Sequence, residues 1–405
     1  MKKYDSYKDS GVEWIGEVPR HWKPCRFKNF ITLITDSSDS DIKIGLENIE
    51  GKSGKFIETN TEFEGNGIAF SEKDVVYGKL RPYLQKVWLA EFAGNAVGDF
   101  FVFRANNNSN STYIKYLLLS DGFTKEADGS TVGAKMPRVS SEFILTMHYC
   151  LPTISEQQSI ATYLDKKCSE IDKVISTQQK RIALLQELKQ SVITHAVTKG
   201  LNPNVEMKDS GVEWIGEVPK HWDVCRLKWL FNNLDNLREP ISAEKRERNN
   251  PQYDYYGASG IIDKIDYYNV DDKVLLIAED GANLVYRNLP LIYKAAGKFW
   301  VNNHSHILKN KKGVDYEYMF YTLESADYSN YITGSAQPKL SQANLEQQEL
   351  PIPSLSEQQS IATYLDKKCA AIDASISKAQ HQVDLLQEYK LSLITEVVTG
   401  KRNVC

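Results

Sequence analysis

Two stretches of this 405-residue chain occur twice. Lys8–Pro19 (KDSGVEWIGEVP) returns unchanged as Lys208–Pro219, and Ser155–Cys168 (SEQQSIATYLDKKC) returns as Ser356–Cys369, at offsets of 200 and 201 residues. Between these frames, Asn29–Cys150 and Trp229–Glu349 share almost no aligned residues. Two halves that keep a frame and vary its contents present two different surfaces in one geometry.

The length suits two or three domains with real cores. An apolar content of 41% and a charged content of 25% are those of an ordinary globular protein. No apolar run approaches the roughly 18 residues that span a bilayer. The start, Met-Lys-Lys-Tyr-Asp-Ser, has no apolar stretch behind its lysines. A cytoplasmic location without membrane contact is therefore expected. Of the six cysteines, Cys25/Cys225 and Cys168/Cys369 are repeat partners, and no CxxC or Cys/His cluster occurs. They read as small buried hydrophobes, with no metal ligand set.

Each half closes on a long helix. Pro152, and later Pro351 and Pro353, stop regular structure before it. Ser155 and Ser356 are N-cap candidates with Gln158 and Gln359 three residues on, a capping-box pattern. No Pro or Gly follows until Gly200 and Gly400, both placed as terminators. The run from Ser155 to Val197 corresponds to ~64 Å of helix. Both helices carry a heptad. The first seam reads Ile171, Ile175, Gln178, Ile182, Leu185, Lys189, Val192, Ala196. The second reads Ile372, Ile376, Ala379, Val383, Leu386, Lys390, Leu393, Val397. Gaps alternating four and three predict a coiled coil, and the simplest arrangement hides each stripe against the other. The heptad alone leaves the orientation open.

The variable regions read as mixed α/β. Strand-like runs are Asp74–Gly78, Phe100–Arg104, Lys273–Ile277 and His306–Leu308, with helices over Thr112–Ser120 and Tyr316–Leu323. Gly-rich turns separate them at Glu64–Gly67, Tyr256–Gly260 and Glu279–Gly281. No catalytic constellation survives inspection. Gly51-Lys52-Ser53 ends like a P-loop, but Leu46 stands where its first Gly belongs. No His-Glu-x-x-His occurs. The Asn/Asp-Pro-Pro-aromatic loop of amino-methyltransferases is absent. Glu187-x-Lys189 and Glu388-x-Lys390 imitate a nuclease element but lie in the heptads.

Binding chemistry remains. The first region packs Lys79, Arg81, Tyr83 and Lys86 into eight residues, and Lys135 and Arg138 follow a Gly/Ser/Thr loop. Such cations beside Gly-rich turns reach phosphates, and Arg bridges two acceptors on guanine. The second region offers Arg287, Lys298 and Lys339 with Asn283, Asn302, Asn303, His304 and Gln337, side chains that include matches to adenine's edge. Against this, Asn29–Cys150 holds twelve Lys/Arg to sixteen Asp/Glu, and Trp229–Glu349 thirteen to seventeen. A nucleic-acid face must therefore be a local concentration of cations.

Taken together, these segments resemble the specificity subunit of type I restriction–modification systems. The resemblance rests on Ser10–Pro19 with His21-Trp22 and its copy from Ser210, and on Pro152–Leu164 with its copy from Ser356. Gly78–Tyr83, Tyr255–Ile261 (with Tyr256 and Ser259), Glu279–Asn283, Gly297–His304 and Gln337–Lys339 resemble recognition-domain motifs. The resemblance implies an α+β fold. Two mixed α/β target-recognition domains (residues 1–152 and 201–353) form a repeat joined by two long antiparallel coiled-coil helices (153–200 and 354–405). It implies an asymmetric bipartite double-stranded DNA target and no catalysis by this chain. Two modification subunits would dock on the helices and methylate adenine from S-adenosylmethionine. Restriction subunits would add ATP- and Mg-dependent translocation and cleavage. A coiled-coil scaffold whose variable domains bind proteins is the alternative.

Overall fold

The computed structural model describes residues 3–38, 40–133, 135–246 and 250–404. The chain forms two compact units whose boundary does not fall between the sequence halves. The first comprises Met1–Lys180 with Ala379–Cys405, the second Arg181–Lys378. Each unit thus holds one variable region, the start of one long helix and the end of the other.

In the first unit the central sheet is built from β1 (Ile31–Ile34), β2 (Val75–Gly78), β3 (Val87–Leu89) and β4 (Phe100–Ala105), in the order β1-β4-β2-β3, all antiparallel. β2 is buried along its whole length because both faces are covered. Val75 and Tyr77 join the main core, which also holds α1 (Ser111–Leu119), whereas Val76 joins a smaller core with Phe70, Trp88 and Phe100. That is why the run lacks an alternating pattern. α2 (Asp121–Gly129) follows directly.

The second unit has a six-stranded sheet. Its strands are β5 (Phe231–Asn233), β6 (Tyr253–Gly257), β7 (Gly260–Ile265), β8 (Val270–Ala278), β9 (Ile292–Val301) and β10 (Ser305–Asn310), in the order β5-β10-β8-β9-β6-β7. β8 repeats the logic of β2: Leu275 and Ile277 face the main core, Val274 and Leu276 a second one. The order β5-β10-β8 matches β1-β4-β2, although these strands share almost no sequence.

The long helices run over Ile154–Lys199 and Leu355–Val398. They start earlier than expected from Ser155 and Ser356. The N-caps used are Thr153 and Ser354: Glu156 and Glu357 donate backbone N–H to Thr153 Oγ1 and Ser354 Oγ, both at 3.4 Å, and at Thr153 the return bond to the Glu156 carboxylate completes a capping box. The duplicated glutamines explain why the frame repeats. Gln157 accepts the Asn110 N–H and donates to Pro152 and Asn108 carbonyls. Gln358 accepts the Asp315 N–H and donates to Pro353 and Gly313 carbonyls. Asn110 and Asp315 are the N-caps of α1 and of α3 (Tyr316–Ser325), so each buried amide ties a long helix to the first helix of its variable region.

Within each unit the two helix segments run antiparallel. In the first, Asp172 pairs with Lys390 and the Val398 carbonyl accepts from Tyr113 and Tyr149, close to the start of the first long helix. In the second, Lys189 pairs with Asp373, and Tyr318 donates to carbonyls of both Val197 and Pro351. These tyrosines satisfy carbonyls that a helix end leaves without an internal partner. Gly200 and Gly400, both at φ +73°, turn the chain at the helix ends, where a Cβ on Gly400 would stand 2.3 Å from Pro19. The lead-ins pack there: Trp22 and Trp222 are buried, and His21 and His221 pair with Glu156 and Glu357.

The heptad seams are the inward positions. Ile171, Ile175, Ala196, Ala379, Val383, Lys390, Leu393 and Val397 are buried, and Gln178, Ile182, Leu185, Lys189, Val192, Ile372, Ile376 and Leu386 are half-buried. The five described cysteines are free, and Cys150, Cys168 and Cys369 are buried.

Candidate functional site

At the C-terminal end of β2 the chain leaves the sheet as Lys79-Leu80-Arg81, and the loop Thr131–Val139 is stitched to it. Leu80 and Val132 both bridge to Arg138. The Arg81 N–H donates to Pro137 O at 2.8 Å and the Val139 N–H to Lys79 O at 3.2 Å. This brings Lys79 and Arg138 to Asp99, the residue before β4, with Arg81 and Lys135 on the same stitched segments. Arg138 donates to both Asp99 oxygens, at 2.9 Å each, and Lys79 Nζ lies 3.8 Å away. The Arg138 hydrogen bonds hold the Asp99 carboxyl below its usual range; burial opposes them and Lys79 adds to them. Arg81 sits at φ +50°, exposed, and its guanidinium meets no hydrogen-bond or ionic partner among the described residues. Tyr83 is exposed on the adjoining turn.

The second unit repeats the stitch at the C-terminal end of β8. Asp280 and Thr333 bridge to Lys339. The Gly281 N–H donates to Pro338 O at 3.0 Å and the Leu340 N–H to Glu279 O at 2.7 Å. Here Lys339 Nζ pairs with Glu279 at 2.9 Å, and His304, just before β10, pairs through Nδ1 with Asp280 at 2.7 Å. Gln337 is exposed on the same loop. Below them His306 is fully buried, with Nδ1 against Asp235 and Nε2 2.8 Å from Leu340 O. Burial works against ionisation of Asp235, but hydrogen bonds from His306 and the Ile307 amide, with Arg238 nearby, outweigh it and lower its pKa. The frames agree and the side chains differ: Arg138 corresponds to Lys339, and Asp99 to His304.

Several expected contacts belong to the framework instead. Lys86 Nζ donates to the carbonyls of Leu46 and Ile49, at 2.6 and 2.8 Å, and so is turned inward. Tyr256 is buried against Phe299. The Asn283 amide holds its own loop through Leu289 and Pro290. Arg287 donates to the carbonyls of Glu324 and Ala326 at the end of α3 and lies over Tyr328. Buried Asn302 accepts the His304 N–H, while the neighbouring Asn303 side chain is exposed. Lys298 stacks on Tyr268, opposite Asp271 in the β8–β9 ladder and far along it from Ala278. Ser259 is exposed at the tip of the β6–β7 hairpin. Asp99 and Arg238 were not singled out in the sequence, and Glu279 and Asp280 only within the Glu279–Asn283 motif. The equivalence of the two loops did have a signal: at offset 201, Gly133-x-x-x-Pro137-Arg138 aligns with Gly334-x-x-x-Pro338-Lys339.

Residues 219–382 match the family model described as the type I restriction modification DNA specificity domain. A putative type I restriction enzyme specificity subunit of Haemophilus influenzae is 34% identical over 137 residues, about a third (34%) of each chain. The MjaVIII specificity subunit of Methanocaldococcus jannaschii is 23% identical over 96% of this chain and 94% of its own. Among solved structures, a chain from a type I R-M system superposes with a TM-score of 0.73 at 14% identity, covering 94% of this chain and 98% of its own. The HsdS subunit of Thermoanaerobacter tengcongensis gives 0.50 at 16% identity, covering 95% and 98%.

The chain thus carries a type I restriction modification DNA specificity domain and is similar over nearly its whole length to a type I specificity subunit. In this chain the two stitched loops are the places where the frame presents unlike side chains. The long helices add a second feature, an apolar flank beside each seam. Leu184 and Leu188 on the first helix and Leu385 and Tyr389 on the second are exposed, and they are the same positions at offset 201. Val174 lies beside Leu385 and Tyr389 in one shallow groove of the first unit. No described helix is long and apolar enough to cross a membrane.

Proposed function

We propose that this chain is the non-catalytic reader of an asymmetric, bipartite double-stranded DNA target. The cluster of Lys79, Arg81, Lys135 and Arg138 reads one half-site, and that of His304, Gln337 and Lys339 reads the other. The observation that carries this reading is one stitched loop geometry furnished twice with different donors and acceptors. One frame with unlike contents suits two unlike half-sites.

The exposed flanks at Leu184/Leu188 and Leu385/Tyr389 are apolar, equivalent and duplicated. They suit two copies of one partner, the modification subunit, with restriction subunits joining the assembly. S-adenosylmethionine, ATP and Mg belong to those partners. The chain's net charge of −4 means that partners supply much of the phosphate neutralisation, so the isolated chain binds DNA weakly.

Methylome sequencing of cells expressing the modification subunits with and without this chain tests the proposal. Bipartite adenine methylation should vanish with the chain. Methylation unchanged by its deletion refutes the reading and favours a protein-binding scaffold.

A further inference from the structure

We infer that Arg138 reads a guanine in the half-site of the first variable region and that Asp99 is the residue that positions it. This rests on the DNA-reading role proposed above. A guanidinium offers five N–H donors in a rigid fork. Asp99 takes the edge formed by Nε and Nη2, at 2.9 Å to each carboxylate oxygen. The end formed by Nη1 and the second Nη2 hydrogen has no partner among the described residues, and the side chain is 44% exposed. That free end presents two parallel donors. In the major groove only guanine answers with two adjacent acceptors, O6 and N7, since adenine offers one acceptor and one donor and cytosine a donor.

The surroundings favour a base edge over the phosphate backbone. The Arg138 backbone is bridged to Leu80 and Val132, and Asp99 is fixed in turn because its carbonyl accepts the Lys79 N–H at 2.9 Å. A side chain held in this way loses little freedom on binding. The adjacent carboxylate repels a phosphate, whereas unpartnered Arg81 has no such neighbour and suits a backbone contact. In the second unit Lys339 and His304 stand at the equivalent positions, so this carboxylate-held guanidinium fork has no counterpart there.

The test uses the assembled complex, the full chain co-expressed with its modification subunits, read by single-molecule methylome sequencing. The wild type should require guanine at one fixed position of one half-site. Arg138→Ala removes the fork and every donor with it, and discrimination at that position should fall by about 10-fold or more. Asp99→Asn should relax the same position to a smaller degree. The second half-site should stay unchanged in both variants, which serves as an internal control for folding. Retained guanine discrimination in Arg138→Ala overturns the inference. So does weakening spread over all positions, the mark of a phosphate contact, or loss of methylation at every site, the mark of a role in assembly. Wild-type methylation that does not depend on the chain defeats the DNA-reading role itself.

Discussion

The two seam lysines are equivalent in sequence but not in burial, and that difference predicts unequal contributions. Lys390 and Lys189 lie 201 residues apart, as do their partners Asp373 and Asp172. Lys390 Nζ meets Asp172 at 2.8 Å with side chains 7% and 20% exposed, whereas Lys189 meets Asp373 at 2.7 Å with side chains 32% and 52% exposed. With nearly equal separations, the Coulomb attraction at an effective dielectric constant of about 20 is about 6 kcal/mol for either pair, before desolvation and side-chain entropy are subtracted. The exposed pair should retain about 0.5 kcal/mol, as surface pairs do. Breaking a buried pair costs about 3–5 kcal/mol when the remaining charge is orphaned. Asp172 is not orphaned, because Lys55 stands 3.0 Å from its other oxygen. Lys390→Ala should therefore cost about 2 kcal/mol, and Lys189→Ala about 0.5 kcal/mol.

Native-state hydrogen exchange suits this measurement, since it reads opening free energies segment by segment without requiring a single unfolding transition. Double-mutant cycles with Asp172→Ala and Asp373→Ala isolate the pair terms. Lys55→Ala combined with Lys390→Ala should bring the loss close to that of an orphaned charge. Equal losses for Lys390→Ala and Lys189→Ala, or no further loss on removing Lys55, would refute the argument that burial decides the difference.

Three further outcomes follow from the same geometry. Inserting one heptad into each long helix, near Ala183 and Asp384, should lengthen the spacer in the methylated target and leave both half-sites unchanged; an unaltered spacer in the methylome removes the helices as a ruler. Because Leu184, Leu188, Leu385 and Tyr389 are exposed, the pairs Leu184→Glu/Leu188→Glu and Leu385→Glu/Tyr389→Glu should leave the fold intact. Each should release one modification subunit, giving a one-to-one complex by native mass spectrometry; an unchanged one-to-two ratio excludes these flanks. The lowered pKa of Asp235 stabilises the fold above its unfolded pKa of about 4, and that contribution is lost as acid titrates the folded carboxylate. Asp235→Asn should therefore flatten the acid limb of a stability–pH curve for the second unit, and an unchanged limb would show that other groups set it.

The frame was legible because it obeys periodic rules. Heptad spacing named the seam residues, and Gly200 and Gly400 marked the helix ends. The start slipped because two capping boxes overlap within Thr153–Gln158, and Thr153 with Glu156 closes the one that forms. Orientation was not legible in the heptad, and only the resemblance implied it. It is fixed by contacts far apart in sequence, such as Tyr149 with Val398, which no local pattern encodes. Asp172 and Asp373 lie one position beyond the seam, and only the antiparallel register brings them to the lysines.

The contents of the frame were harder to read, for a physical reason. Cations next to glycine were sought as ligand contacts, yet Lys86 and Arg287 serve the structure by donating to carbonyls of their own unit. Composition cannot separate the two uses, because a carbonyl and a phosphate oxygen attract the same donor. What separates them is whether the loop carrying the cation is anchored through its backbone while the side chain stays outside. Gly133 and Gly334 supply that anchor in both regions. Each has positive φ, and a Cβ would come within 3.2 and 2.6 Å of the carbonyls of Met136 and Gln337. The tight turn returns the chain to β2 or β8 one residue after Pro137 or Pro338 and leaves Arg138 or Lys339 at the edge. The unlike regions therefore share a short backbone rule. On the proposed reading, the residue after its proline is where a change of side chain should alter what is read without altering the fold.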